Sequence, residues 1–177
     1  GEIVEKPDLK ALQEDKVPQA NPALQLTAIY YMQELRRPIE RDKEEKQDLH
    51  ELEEEMVHNL FASRFIVVFD VSEVKGTWNP RDNKAPAKQQ MLKLKNDKFV
   101  LPVFTELDEF RKYAARFVKP QSKVRLVPVP FDKLRGFLPG PASGFVVNPM
   151  GFNMVLMKEQ IEWRSKVYGT PAGEEES

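Results

Sequence analysis

Phe99-Val100-Leu101-Pro102-Val103-Phe104-Thr105 decides the fold, together with Gly144-Phe145-Val146-Val147-Asn148-Pro149 further on. Each is a short apolar run rich in β-branched and aromatic residues, closed by Pro, Asn or Gly, and each therefore reads as a strand with a defined end. Thr105 is placed to cap a following helix, with Glu106, Asp108 and Glu109 in its first turn facing the positive end of the helix dipole. Leu107, Phe110, Ala114 and Phe117 then recur at helical spacing.

Working outward, Gln90–Lys95 alternates and predicts a strand. Asn96-Asp97 supplies a turn back into Phe99–Phe104, so these two strands form a hairpin. Arg64–Val71 is a β-branched run that reads as a central strand. Val124–Val129 is another strand. Its Pro128, with the adjacent Pro130, places it at an edge because proline cannot donate to a ladder. Phe131–Phe137 predicts one or two helical turns. Gly144–Val147 and Asn153–Met157 predict a second hairpin, and Lys158–Tyr168 a closing helix.

Upstream, Leu24, Ala28, Tyr31 and Leu35 make one apolar face of a helix that Pro38 ends. A charged helix spans about 41–61, with Leu49, Leu52, Met56 and Leu60 as its apolar stripe. The expected architecture is one α+β domain with a mainly antiparallel or mixed sheet of about five or six strands. Helices flank the sheet, and the first two pack as an appendage or lid. Residues 1–22 read as a loose lead-in, 23–168 as the domain and 169–177 as a disordered acidic tail.

Composition narrows the function classes. The 177 residues are 41% hydrophobic and 31% charged, with a formal net charge of −1. That balance suits a soluble globular domain and gives no global attraction to nucleic acid or an anionic membrane. With no cysteine, thiol nucleophiles, disulfides and Cys-based metal sites are excluded. No apolar run approaches the ~20 residues that a membrane-spanning helix needs. A cytoplasmic location is expected, with an upstream targeting segment left open.

The sequences FVLPVFTELDEF, VRLVPVPFDKLRGFL and GFVVNPMGFNMVLMKEQI together resemble the SseB family N-terminal domain. The blocks that carry this are Pro102-Val103-Phe104-Thr105 with Glu106–Glu109, then Phe131–Leu134, then Gly144, Asn148, Pro149 and Lys158-Glu159. The resemblance is good over 88–160. It implies a small intracellular α+β domain and brings no agreed biochemical activity.

Among candidate sites, Asn148-Pro149-Met150-Gly151-Phe152-Asn153 carries the sharpest local signal. Asn and Gly tolerate left-handed backbone and Pro fixes φ, so the set builds a specific turn. The functional reading is that this loop presents Met150 and Phe152 to a protein partner. Trp78 lies in a polar loop. It either folds back to cap the core or anchors a partner.

His50 and His58 lie eight residues apart on the charged helix, about 12 Å along its axis. Solvated helix-face residues fit them better than a metal site, and no metal or cofactor is expected. Glu51, Glu53, Glu54 and Glu55 read as a solvated face, not as paired catalytic carboxylates. No serine sits in a motif that places it beside a histidine, and no Gly-rich phosphate loop occurs.

The expectation is a non-enzymatic protein-interaction module with a protein partner, self-association into a homo-oligomer remaining open. The alternative is a small-molecule-binding or enzymatic domain. Its pocket would lie between helices and sheet, with polar groups from Thr105, Asn148 and Asn153.

Overall fold

The computed structural model describes residues 18, 20–76, 78 and 87–162. The predicted lead-in, apart from residues 18 and 20–22, and the whole of the predicted acidic tail lie outside the described residues. The closing helix is described over 158–162.

Two helices come first. Helix α1 spans Pro22–Arg36; Asn21 caps it by accepting from the Leu24 N–H, and proline opens its first turn. Helix α2 spans Lys43–Phe61 and starts with a capping box, Asp42 and Glu45 bonding each other's backbone N–H groups. The strands are β1 (Arg64–Asp70), β2 (Leu92–Lys93), β3 (Phe99–Phe104), β4 (Val124–Pro130), β5 (Ala142–Val147) and β6 (Met154–Met157). Helix α3 (Leu107–Phe117) follows β3, and a 3-10 helix (Phe131–Phe137) follows β4.

The chain forms an α+β domain around a mixed six-stranded sheet, ordered β4-β1-β3-β5-β6 with β2 also paired to β3. Only β3 and β5 run parallel; the other pairs are antiparallel. β1 is an inner strand between β4 and β3, and β4 lies at an edge, where its prolines are tolerated.

Strand alternation sends side chains to two faces. Phe65, Val67, Leu101, Val103, Phe145 and Val147 point to one side, where they meet Leu24 and Ala28 of α1 and Met56, Val57 and Leu60 of α2. Ile66, Phe104 and Leu126 point to the other, against Leu107, Phe110 and Tyr113 of α3. The two N-terminal helices thus cover one face of the sheet and supply fully buried residues to the larger core cluster.

Two expectations need correction. The first is Thr105 as a helix cap: Glu106 occupies the N-cap position and makes no side-chain cap bond. Thr105 is fully buried, and its hydroxyl is engaged by Asn148 across the sheet end.

The second is the strand expected over Gln90–Lys95, which shrinks to Leu92–Lys93. Pairing of β1 with β3 stops after Ile66↔Phe104 and Val67↔Val103. In continued register Val68 would face Pro102, which has no N–H for the Val68 carbonyl. Beyond that point Asp70 pairs with Lys88 and Val100 pairs with Leu92. The strands fork, and the segment from Lys88 to Leu92 crosses from one to the other, so it can ladder with β3 only briefly.

Candidate functional site

Three features stand out: the loop joining β5 to β6, the outer side of α1, and a pocket beneath the C-terminal end of α3.

The loop is held by Asn148. Its backbone is left-handed, with φ 50°, and Asn153 is similar at 55°. Fully buried, Asn148 donates from its backbone N–H to the Val103 carbonyl at 2.9 Å. Its Oδ1 accepts the Thr105 N–H at 3.0 Å, and its Nδ2 donates to Thr105 Oγ1 at 2.9 Å. Its carbonyl accepts from Gly151 at 2.8 Å and Asn153 at 3.0 Å. One side chain therefore ties together the carboxyl ends of the parallel strands β3 and β5 and shapes the turn.

The turn does not present Phe152 to solvent, as the functional reading of this loop supposed. Phe152 is only 8% exposed and belongs to the larger core cluster. Met150 is half-buried against the α3-side cluster, Pro149 is half-buried, and Gly151 and Asn153 are exposed. The left-handed residues at both ends of the turn fold it back, so Met150 and Phe152 plug the two faces of the sheet end.

Trp78 is half-buried, with its ring 4.9 Å from that of Phe69 at a tilt of 49°. It packs against the larger core cluster, which corresponds to the core-capping reading of this residue. Its Nε1 is buried without a hydrogen-bond partner among the described residues.

Beside Gly151 lies a crevice of about 350 Å³ between α1, α3 and the β5–β6 loop; Gln25, Ile29, Met32, Glu109, Gly151 and Phe152 are among its walls. Glu109 Oε2 bonds Lys112 Nζ at 2.8 Å and accepts from Gln25 Nε2 at 3.3 Å. Its Oε1 is buried and unpartnered among the described residues. A Cβ added at Gly151 would stand 2.6 Å from that oxygen, so glycine is what lets the loop approach the carboxylate. The sequence reading set Gly151 and Phe152 apart, and the structure brings them together with α1 and Glu109.

The outer side of α1 was missed in the sequence. Leu26, Ile29 and Tyr30 are 57%, 39% and 53% exposed. They lie opposite the buried Leu24 and Ala28, at i, i+3 and i+4. Leu35, read from the sequence as part of the inner apolar face, lies on the Leu24 and Ala28 side near the helix end and is exposed there, and Ile39 is exposed just past the helix. The signal was present: PALQLTAIYYMQELR is apolar on two sides, whereas a helix lying on a domain surface needs only one.

The pocket encloses about 540 Å³ between α3 and the fork of β1 and β3. Val68, Pro102, Phe104, Tyr113, Phe117 and Val124 give it an apolar wall. Tyr113 Oη donates to Gln90 Oε1 at 2.9 Å, and burial pushes the phenol up to about 12. A pocket between helix and sheet was one of the two expectations, but Thr105, Asn148 and Asn153 do not line it. Its polar groups include Asp70, Ser72, Lys88, Lys119 and Ser122 at the rim.

On α2, His50 lies 3.6 Å from Glu54 and 4.0 Å from Glu53, on an exposed surface. Among the described residues no cluster of His, Asp and Glu is arranged to hold a metal ion, and no helix is long and apolar enough to cross a membrane.

Residues 43–163, well over half of the chain, match the family model of the SseB protein N-terminal domain. No curated protein and no solved structure matches the chain.

Proposed function

The chain belongs to the SseB family, and on that premise we propose that it is a non-enzymatic protein-interaction module whose docking face is the outer side of α1. The carrying observation is the distribution of exposed apolar side chains. Among the described residues, the large exposed hydrophobics are Leu26, Ile29, Tyr30, Leu35 and Ile39 on or just after α1, with only Phe99 and Phe117 elsewhere. Scattered exposed apolar residues are normal, but Leu26, Ile29 and Tyr30 adjoin on one side of one helix, and such a set marks a contact surface. Tyr30 is of the type enriched at interface hot spots.

α1 precedes the stretch that matches the family model. Its inner face completes the core, while its outer face adds a surface beyond that stretch. The adjoining crevice at Gly151 and Glu109 continues this surface into the β5–β6 loop, so the loop contributes shape and α3 a carboxylate.

The test is capture of binding proteins by the wild-type chain beside Leu26→Ser/Tyr30→Ser, followed by affinity measurement with each recovered protein after purification. Both substitutions are at exposed positions, so thermal unfolding should be unchanged. The double variant should bind at least about tenfold more weakly, a loss of about 1.4 kcal/mol. Equal affinity would remove α1 as the docking face. Sedimentation of the two forms separates a foreign partner from a second copy of the chain, since only self-association depends on the concentration of this protein alone.

A further inference from the structure

We propose that the pocket beneath α3 is a binding site for a small amphipathic molecule, with an apolar, ring-sized body and one anionic head. This site shares no residue with the outer side of α1 and does not depend on the interaction reading.

The pocket has a structural origin. Pro102 sits within β3, where a proline is rarely tolerated because it withholds a ladder donor. Here the ladder with β1 ends one pair earlier, at Val67↔Val103, and the strands part. The crossing segment rejoins the sheet at Asp70↔Lys88 on one strand and Leu92↔Val100 on the other. α3 bridges over this fork, and the space left between them is the pocket. Its volume of about 540 Å³ falls in the range of small-molecule sites, roughly 300–1,000 Å³.

The wall suits a flat apolar body. Tyr113 and Phe117 stack with ring centroids 4.9 Å apart at 27°, and Phe104 lies 5.2 Å from Tyr113 at a tilt of 54°. Phe117 is 40% exposed at the opening, an apolar ring that a bound molecule would cover. The Tyr113 hydroxyl is already paired with Gln90, so the wall there makes little demand for a polar ligand group.

The polar groups lie at the rim, and the cation there without a carboxylate partner among the described residues is Lys119. Asp70 keeps its charge while accepting the Ser72 N–H at 2.9 Å, and Lys88 is balanced by Glu73 at 2.7 Å and by Asp70. Lys119 and the Ser122 hydroxyl complete this side of the rim as donors. An apolar body held against the rings would place a carboxylate or sulfonate beside Lys119.

The probes are anilinonaphthalene sulfonate, which fluoresces when its rings leave water, and its uncharged relative N-phenylnaphthylamine. Both are titrated against the full chain. Wild type should show one saturable site for each. Val118→Trp places an indole in the pocket wall and should weaken both probes by about tenfold or more. Ser122→Trp blocks the rim and serves if Val118→Trp does not fold. Leu26→Ser/Tyr30→Ser should leave binding unchanged, which separates this site from the apolar side of α1. Lys119→Glu should weaken the sulfonate about fivefold and spare the neutral probe. Undiminished binding in a folded pocket variant, or loss of binding in the α1 variant, would overturn the site. Equal weakening of both probes by Lys119→Glu would overturn the anionic head.

Discussion

Asn148 shows how one residue can look functional for structural reasons. An Asn-Pro followed by Gly and Asn stands out in sequence because the backbone requirement is narrow, and the structure accounts for each part of it. The φ of 50° needs Asn or Gly, and the two bonds to Thr105 need an amide side chain. Asn148→Ala should destabilise the domain by about 3 kcal/mol, because it strands the buried Thr105 N–H and strains a left-handed alanine. Chemical denaturation measures this directly, and a change below about 1 kcal/mol would contradict the account.

Tyr113 gives a second prediction at the same scale. Burial raises its folded pKa to about 12 from 10.0. The folded state therefore holds the phenolic proton more tightly than the unfolded state. This group's contribution to stability is intact below the unfolded value and is lost as pH rises through the folded one. Stability should fall between about pH 10 and pH 12, and Tyr113→Phe should make that fall shallower. Denaturation midpoints at both ends of the range test it; identical slopes in the two proteins would argue against the buried phenol.

At the scale of elements, most of the fold was legible. Each strand and helix read from hydrophobic period and turn chemistry has a counterpart among the described residues. The departures share a cause, which is competition for backbone partners. β2 is short because the segment before it crosses the fork opened at Pro102, and Thr105 is no cap because Asn148 engages its hydroxyl first. Neither competition is local, so neither is visible in a window of neighbouring residues. The β5–β6 hairpin adds a close approach of the same kind. A Cβ at Gly144 would stand 2.5 Å from the Leu156 carbonyl oxygen and 2.7 Å from Met157 Cα, both backbone atoms that cannot swing aside. Gly144→Ala should force β6 away and cost about 3 kcal/mol, with amide exchange quickening first in Met154–Met157. Protection of those amides equal to wild type would show that the hairpin absorbs the methyl group.

At the scale of the whole molecule, the surfaces were much less legible than the core. Burial leaves a periodic trace in sequence; an exposed apolar side shows only as a second such trace on the same helix, which does not say which side is buried. Met150 and Phe152 were singled out for exposure because they lie in a loop, yet they plug the ends of the sheet. Leu26, Ile29 and Tyr30 were passed over because they lie in a helix whose other side gave a sufficient apolar face. The pocket was anticipated between helix and sheet but supplied with the wrong polar groups, because its position follows from where β1 and β3 part. The molecule thus has a family core with a separate apolar face added by α1, and that face is the basis of the proposed interaction.

The most direct test is site-specific photo-crosslinking in native lysate, with benzoylphenylalanine in place of Tyr30 and, separately, in place of the solvent-exposed Lys46 on α2. The account predicts one discrete covalent adduct from position 30, competed away by excess unlabelled wild-type chain, and none from position 46. An adduct from position 46 with none from position 30 would contradict it and move the interface to the charged helix.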